Sequence, residues 1–316
     1  MKHSTQSALA LLASLLAVSL IVSALRQRRL VGPPRRAPSS IRVGFVGNSF
    51  TYYNDLPGLL ERATGLACDA CTRGGASLAS LLRDGGDSTG HATVRFAKAA
   101  LARARGADAA AKAEAAEAAR VAADVSTNHL PVAARDLRAF LGDVQRDVVV
   151  IQDFSRGPIK QRDEGVLALR RLAPLLREAR VVVLYSTWAY DNALTRADDD
   201  LRDTTKMARG LQEGYEEYAR ALQAAGVETI TIAPVGAAFE LVRAGDEARW
   251  RSLFARDGYH PSPAGTYLAA RVLHLTIATA LRDKEITWDG DDGPEDLADA
   301  ARRACEARPA SSMGML

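Results

Sequence analysis

Covalent and metal cross-links are scarce in this chain. Its 316 residues include three cysteines and five histidines, too few for a disulfide framework to hold the fold together. Cys68 and Cys71 form a Cys-x-x-Cys, but no second Cys/His pair of suitable spacing follows and Cys305 is remote. Two ordinary thiols on or after a strand are expected there, and no metal. Aromatic residues make up 6% of the chain, and the net charge is only +3, with arginine scattered rather than gathered. A basic face interleaved with aromatics is missing, which argues against a nucleic-acid partner. No internal repeat is visible. What the chain does have is a hydrophobic content of 47%, enough for a substantial core in one large domain or two small ones.

Long apolar runs are equally rare. Ala8 to Leu25 is uncharged and mostly apolar, with Lys2 before it and Arg26, Arg28, Arg29, Arg35 and Arg36 after it. Its length lies at the lower limit for a bilayer-spanning helix, and Val22-Ser23-Ala24 has the small residues of a signal-peptide cleavage site. Residues 1–25 are thus expected to be a signal peptide or a signal anchor, and the chain to enter the secretory pathway, secreted or membrane-anchored. The arginines that follow the run would favour a cytosolic C-terminal domain if the anchor is retained, so the orientation stays open. Membrane contact is expected only through this segment. Residues 26–40, rich in proline and arginine, form a linker.

Beyond the linker, apolar strands alternate with helical patterns. Ile41–Val46, Asp147–Ile151, Arg180–Tyr185 and Glu228–Ile232 are short, buried-type runs, and a weaker strand covers Gly65–Thr72. Helical spacing is found over Leu56–Thr64, Gly165–Ala179, Thr204–Ala225 and Ala264–Leu281. Continuously apolar strands joined by helices indicate a parallel sheet covered on both faces. The expected architecture is a flavodoxin-like three-layer α/β/α sandwich with a five-stranded parallel sheet, spanning residues 41–283. An alanine-rich helical insertion at about 91–125 and a C-terminal tail at 284–316, with a loop, a short helix and a frayed end, fall outside that pattern. Right-handed crossovers place all strand C-termini on one edge, where such proteins keep their chemistry.

Ser49 stands at that edge, where Gly47-Asn48 stops the first strand. A serine hydroxyl needs an adjacent base to become a nucleophile. Among the histidines, His3 lies in the targeting segment, His91 and His129 flank the insertion, and His274 sits on the last helix as a packing residue. His260 remains, held by Pro261 and Pro263 in a loop just before a helix. Asp257, three residues earlier, is placed to orient the imidazole. Donors for an oxyanion are available in the Ser49 backbone N–H, the loop at Gly74-Gly75, and the side chain of Gln152 after the third strand. Tyr52, Tyr53, Trp188 and Tyr190 fall in loops after strand ends, where pocket lining and rim packing are both open; Tyr52 and Trp188 are the leading pocket candidates.

These residues, taken in order, resemble the blocks of the SGNH (GDSL-type) hydrolase superfamily. Gly47-Asn48-Ser49-Phe50-Thr51 with Asn54-Asp55-Leu56-Pro57, then Val150-Ile151-Gln152, then Asp257-Gly258-Tyr259-His260-Pro261-Ser262 with Gly265-Thr266-Tyr267-Leu268, is similar to a poorly characterised branch of it. The resemblance implies a cofactor-free hydrolase of acyl esters, with Ser49 as nucleophile, His260 as base and Asp257 as its orienting acid. It also implies an oxyanion hole made of Ser49, Gly75 and the Gln152 amide. Two departures stand out: the first block has Asn48 where aspartate is usual, and the third has Gln152 where asparagine is usual. The partner implied is an acylated glycan, lipid or small molecule. An O-acyltransferase using the same triad and a non-catalytic carbohydrate-binding module are the alternative expectations.

Overall fold

A computed structural model describes residues 41–86, 136–191, 201–289 and 293–307. The apolar run at 8–25, the linker and the alanine-rich insertion lie outside the described residues. Among the described residues, no helix is long and apolar enough to cross a membrane.

The elements follow in chain order. β1 (Arg42–Gly47) leads through Asn48 into a four-residue helix α1 (Ser49–Tyr52), a 3₁₀ turn at Tyr53–Asp55 and α2 (Leu56–Thr64). β2 (Ala67–Thr72), α3 (Leu78–Asp84), α4 (Leu137–Gly142) and β3 (Val148–Ile151) come next. Then follow α5 (Gly157–Lys160), α6 (Arg162–Leu176), β4 (Val181–Tyr185), α7 (Thr204–Ala224) and β5 (Ile230–Ala233). The chain closes with α8 (Val235–Gly245), α9 (Glu247–Arg251), α10 (Pro263–Leu281) and α11 (Glu295–Glu306).

The five strands form one parallel sheet in the order β2-β1-β3-β4-β5, the flavodoxin-like order with its switch point between β1 and β3. Strand side chains alternate between the sheet's two faces, and each face has its own core. Phe45, Val148, Val150, Val181 and Val183 pack with α2, α8, α10 and α11 on one side. Val46, Val149, Ile151, Val182 and Leu184 pack with α3, α4, α6 and α7 on the other. The protein is therefore a three-layer α/β/α sandwich. The register sets Val46 beside Ile151, and Ile151 beside Leu184. The loops that leave β1, β3 and β4 consequently emerge side by side.

The same alternation separates the two vicinal cysteines. Cys68 packs against the first core and Cys71 belongs to the second, so the sheet lies between their sulfurs. They share neither a disulfide nor a ligand site. Burial pushes the Cys68 thiol well above its ordinary pKa, with the nearby carboxylates of Glu61, Asp69 and Asp55 acting in the same direction.

Beyond the expected helices, the described residues add α1, α3, α4, α5, α8 and α9. Of these, α8 carries helical spacing, burying Val235, Ala238, Phe239 and Val242, and it starts directly after Pro234, which stops β5 and serves as its N-cap position. The short helix expected in the tail is α11, and it is more deeply packed than a frayed tail would be. Its Leu297, Ala300, Ala301 and Ala304 are buried in the first core. Small alanine faces let it approach α8 and α10 closely, and low side-chain bulk hid this packing in the sequence. The folded domain thus extends past residue 283 to α11.

Candidate active site

The sharp turn after β1 presents Ser49, and two side chains brace that turn. Asn48 accepts a hydrogen bond from the Phe50 backbone N–H through Oδ1, at 3.1 Å, which caps α1. Its Nδ2 donates to the Ala76 carbonyl at 3.0 Å, tying the turn to the loop that carries Gly75. An aspartate has no N–H for that second bond, which gives a physical reason for asparagine in this chain. Gly47 ends β1 because a side chain there would collide with Thr51 Oγ1 and the Gln152 side chain.

Gln152 is the second brace, and here expectation is corrected. Its Oε1 accepts from the Asn48 backbone N–H at 2.8 Å and from the Thr51 hydroxyl at 2.9 Å, while Nε2 donates to the Asp153 carbonyl. The side chain is buried at 1% exposure. The extra methylene relative to asparagine lets the amide fold back under the turn. It clamps the backbone that carries the serine through its bonds to Asn48, Thr51 and Asp153.

Gly75 occupies the exposed loop between β2 and α3, with φ +70°, a left-handed value that favours glycine. A side chain built there would meet nothing within 4 Å, so the loop borders open space. Asp153 anchors this loop from below. Its Oδ1 accepts from the backbone N–H groups of Leu78 at 2.8 Å and Phe154 at 2.7 Å, and its Oδ2 accepts from the Tyr218 hydroxyl at 2.6 Å.

The other half of the site is a turn closed by Asp257. Its Oδ1 accepts from the backbone N–H groups of Tyr259 (3.1 Å) and His260 (3.0 Å), and its Oδ2 lies 2.7 Å from His260 Nδ1. Burial pushes the Asp257 carboxyl up, but the His260 ring and the two N–H donors together outweigh it and hold the group below its ordinary value. The loop is fixed from several directions. Ala255 N–H donates to the His260 carbonyl, Asp191 N–H to the Gly258 carbonyl, and Trp188 Nε1–H to the Tyr259 carbonyl.

Across the sheet edge, His260 Nε2 stands 2.9 Å from Ser49 Oγ. Residues 211 positions apart thus meet in hydrogen-bond contact, with the acid, imidazole and hydroxyl in one line of relay. Aromatic rings enclose the imidazole. Tyr53 stacks on it face to face, with centroids 4.3 Å apart and planes 4° from parallel, and Phe50 approaches edge-on at 5.7 Å.

Two pocket candidates are corrected by burial. Trp188 is 0% exposed, stacked between Phe50 and Phe239 at 4.8 and 4.4 Å. Tyr52 is 2% exposed. Both support the site from within the core, because large rings that lose water on every side contribute most as packing. Tyr53, adjacent to Tyr52, is only partly buried and is the ring that reaches the imidazole. Tyr190 is also mostly buried, its hydroxyl 2.5 Å from that of Ser155. His274 is a packing residue, with Nε2 donating to the Ile286 carbonyl at 2.9 Å and burial lowering its pKa. Among the described residues, no group of three or more His, Cys, Asp or Glu side chains could hold a metal ion.

Of the bracing residues, the sequence marked Asn48 only as a departure from the usual aspartate and gave Thr51 and Asp153 no role, because hydrogen bonds that return to nearby backbone leave no spacing signature. One of them carries a measurable consequence. Burial pushes the Asp153 carboxyl above its ordinary value, against the opposing pull of Tyr218, Leu78 and Phe154. Its ionised form is therefore less favoured in the folded chain than in the unfolded one. This cost to stability sets in as pH rises past the unfolded value, about 3.9, towards the raised folded value. Asp153→Asn keeps an acceptor for the two N–H groups and removes the titration. Its melting temperature minus that of the wild type is expected to rise as pH increases above the unfolded value of about 3.9; parallel melting curves would contradict the shift.

Solved structures similar to this chain include a DUF4886 family protein from Bacteroides uniformis. It is 18% identical over 84% of this chain and 93% of that one, with a TM-score of 0.52. A protein from Slackia heliotrinireducens, provisionally assigned to the SGNH hydrolases, is 25% identical over 76% of this chain and all of that one, at a TM-score of 0.47. A provisionally assigned GDSL-like lipase from Parabacteroides merdae follows at 13% identity, covering 77% and 98%, with a TM-score of 0.40. No protein-family model and no curated protein matches the chain. The chain's class, read from its own sheet and helices, is a three-layer α/β/α protein. Of these likenesses, the Bacteroides structure bears on the fold alone.

Proposed function

We propose that the chain is a serine hydrolase that cleaves an acyl ester through an acyl-enzyme on Ser49. The observation that carries this is the unbroken contact Ser49 Oγ···His260 Nε2 and His260 Nδ1···Asp257 Oδ2, at 2.9 and 2.7 Å. With the Nδ1 proton held on Asp257, Nε2 keeps its lone pair towards the serine. Ser49 Oγ attacks the acyl carbonyl as its proton passes to Nε2. The carbonyl oxygen takes up the negative charge facing the backbone N–H groups of Ser49 and Gly75. Collapse expels the alcohol, which takes the proton from His260 and leaves the acyl group on Ser49. A water then repeats the attack with His260 as base, releases the acid and restores the hydroxyl. The substrate class proposed is an acylated glycan, lipid or small molecule.

The test is labelling with a fluorophosphonate, followed by turnover of nitrophenyl esters of graded chain length and of acetylated oligosaccharides. Wild type is expected to be labelled on Ser49, Ser49→Ala to remain unlabelled, and at least one ester to turn over. Folded wild-type protein that takes no label and cleaves no ester would overturn the proposal.

A further inference from the structure

Asn54 and Asp55 adopt successive left-handed conformations, with φ of 51° and 56°. Such values are unfavourable for side-chain-bearing residues, though asparagine and aspartate tolerate them best. Asp55 has a local reason: it caps α2 through the Gly58 N–H and pairs with Arg62 at 2.9 Å. Asn54 has no such local role. Its Nδ2 donates to two acceptors far along the chain, the Pro261 carbonyl and Thr266 Oγ1, both at 2.9 Å. Both hydrogens of the amide nitrogen are thereby used. Pro261 follows His260 directly, and Thr266, 1% exposed, lies in the first turns of α10.

The bonds that hold the His260 turn on its other sides run to Ala255, Asp191 and Trp188, all remote in sequence from Ser49. Asn54 belongs to the segment that carries Ser49, five residues after it. The backbone between them is a single compact turn, and Tyr53 within that turn is the ring stacked on the imidazole. The left-handed bend aims the Asn54 amide across the gap between the two halves of the site.

We infer that Asn54 is a positioning residue, which fixes the distance between nucleophile and base by bolting the Ser49 turn to the segment that follows His260. The inference rests on the serine-hydrolase mechanism proposed above. It is independent of hydrogen bonds made by Ser49, His260 or Asp257 themselves.

The decisive variant is Asn54→Gly. Glycine adopts φ near 51° without steric cost, so the bend is kept while the amide is removed. With the best nitrophenyl ester, kcat is expected to fall about 10- to 100-fold, the scale of an ångström-sized misplacement of reacting groups. KM should stay within about threefold, because no substrate contact is lost. The circular dichroism spectrum is expected to match wild type. Thr266→Val, which removes one of the two acceptors, should lower kcat less, and should add almost nothing in the Asn54→Gly background, since the two changes break one link. A kcat for Asn54→Gly within about fivefold of wild type, or a loss confined to KM, would overturn the positioning role while leaving the triad intact. Inactive, unlabelled wild-type protein would instead remove the triad, and this inference with it.

Discussion

His260→Ala is expected to lower kcat for any ester the wild type cleaves by about 10⁵- to 10⁶-fold, the loss seen when a triad base is removed. The imidazole is in hydrogen-bond contact with both the Ser49 hydroxyl and the Asp257 carboxylate. Asp257→Asn is the more informative partner variant. An asparagine oxygen still accepts from the Tyr259 and His260 N–H groups, so the turn survives. The amide NH₂, however, then faces His260 Nδ1 and forces the ring proton to Nε2, where it points at Ser49 in place of the lone pair. A loss of about 10³- to 10⁴-fold in kcat with little change in KM follows from that tautomer. Both variants are to be compared with wild type by steady-state kinetics and by the rate of fluorophosphonate labelling. Near-normal kinetics in either would show that the observed contact is not the reacting one.

The second large effect concerns Gln152. If this residue served as an oxyanion donor, Gln152→Asn would restore the residue usual in the superfamily and retain activity. The structure gives the opposite expectation. A side chain one methylene shorter does not span from β3 to the Asn48 N–H and the Thr51 hydroxyl, so buried donors lose their acceptor. A loss of about 1–3 kcal/mol in unfolding free energy is expected for such groups, together with a fall in kcat of about 10²-fold from displacement of the serine turn. Chemical denaturation and kinetics on the same preparation check both. Stability and turnover equal to wild type in Gln152→Asn would return the amide to the oxyanion site.

The sheet was legible because its strands are short and apolar with clear stops. Arg42–Gly47 and Val181–Tyr185 fall within a residue of their expected bounds. The meeting of Ser49, Asp257 and His260 was legible for a different reason: a serine–histidine–acid contact restricts the residue types, and five histidines left few choices. Burial was harder to read. Trp188 and Tyr52 sit after strand ends, as pocket residues do, but the sequence does not say which side of a loop turns inward. Gln152 was located correctly and given the wrong partners, since a side chain's reach is evident but its direction is set by neighbours such as Thr51. Asparagine and aspartate, which stand side by side at 54 and 55, are both common helix caps. Only the structure separates Asp55, which caps, from Asn54, which reaches across the site.

The placement of the acid and the base on a single four-residue turn has an outcome for damage. Heat or denaturant that loosens contact between the α1 segment and the turn before α10 parts the serine from its partners while leaving the imidazole–carboxylate pair whole. Inactivation by such loosening would precede the loss of sheet structure, and cooling would restore the reactive arrangement without the chain having to refold.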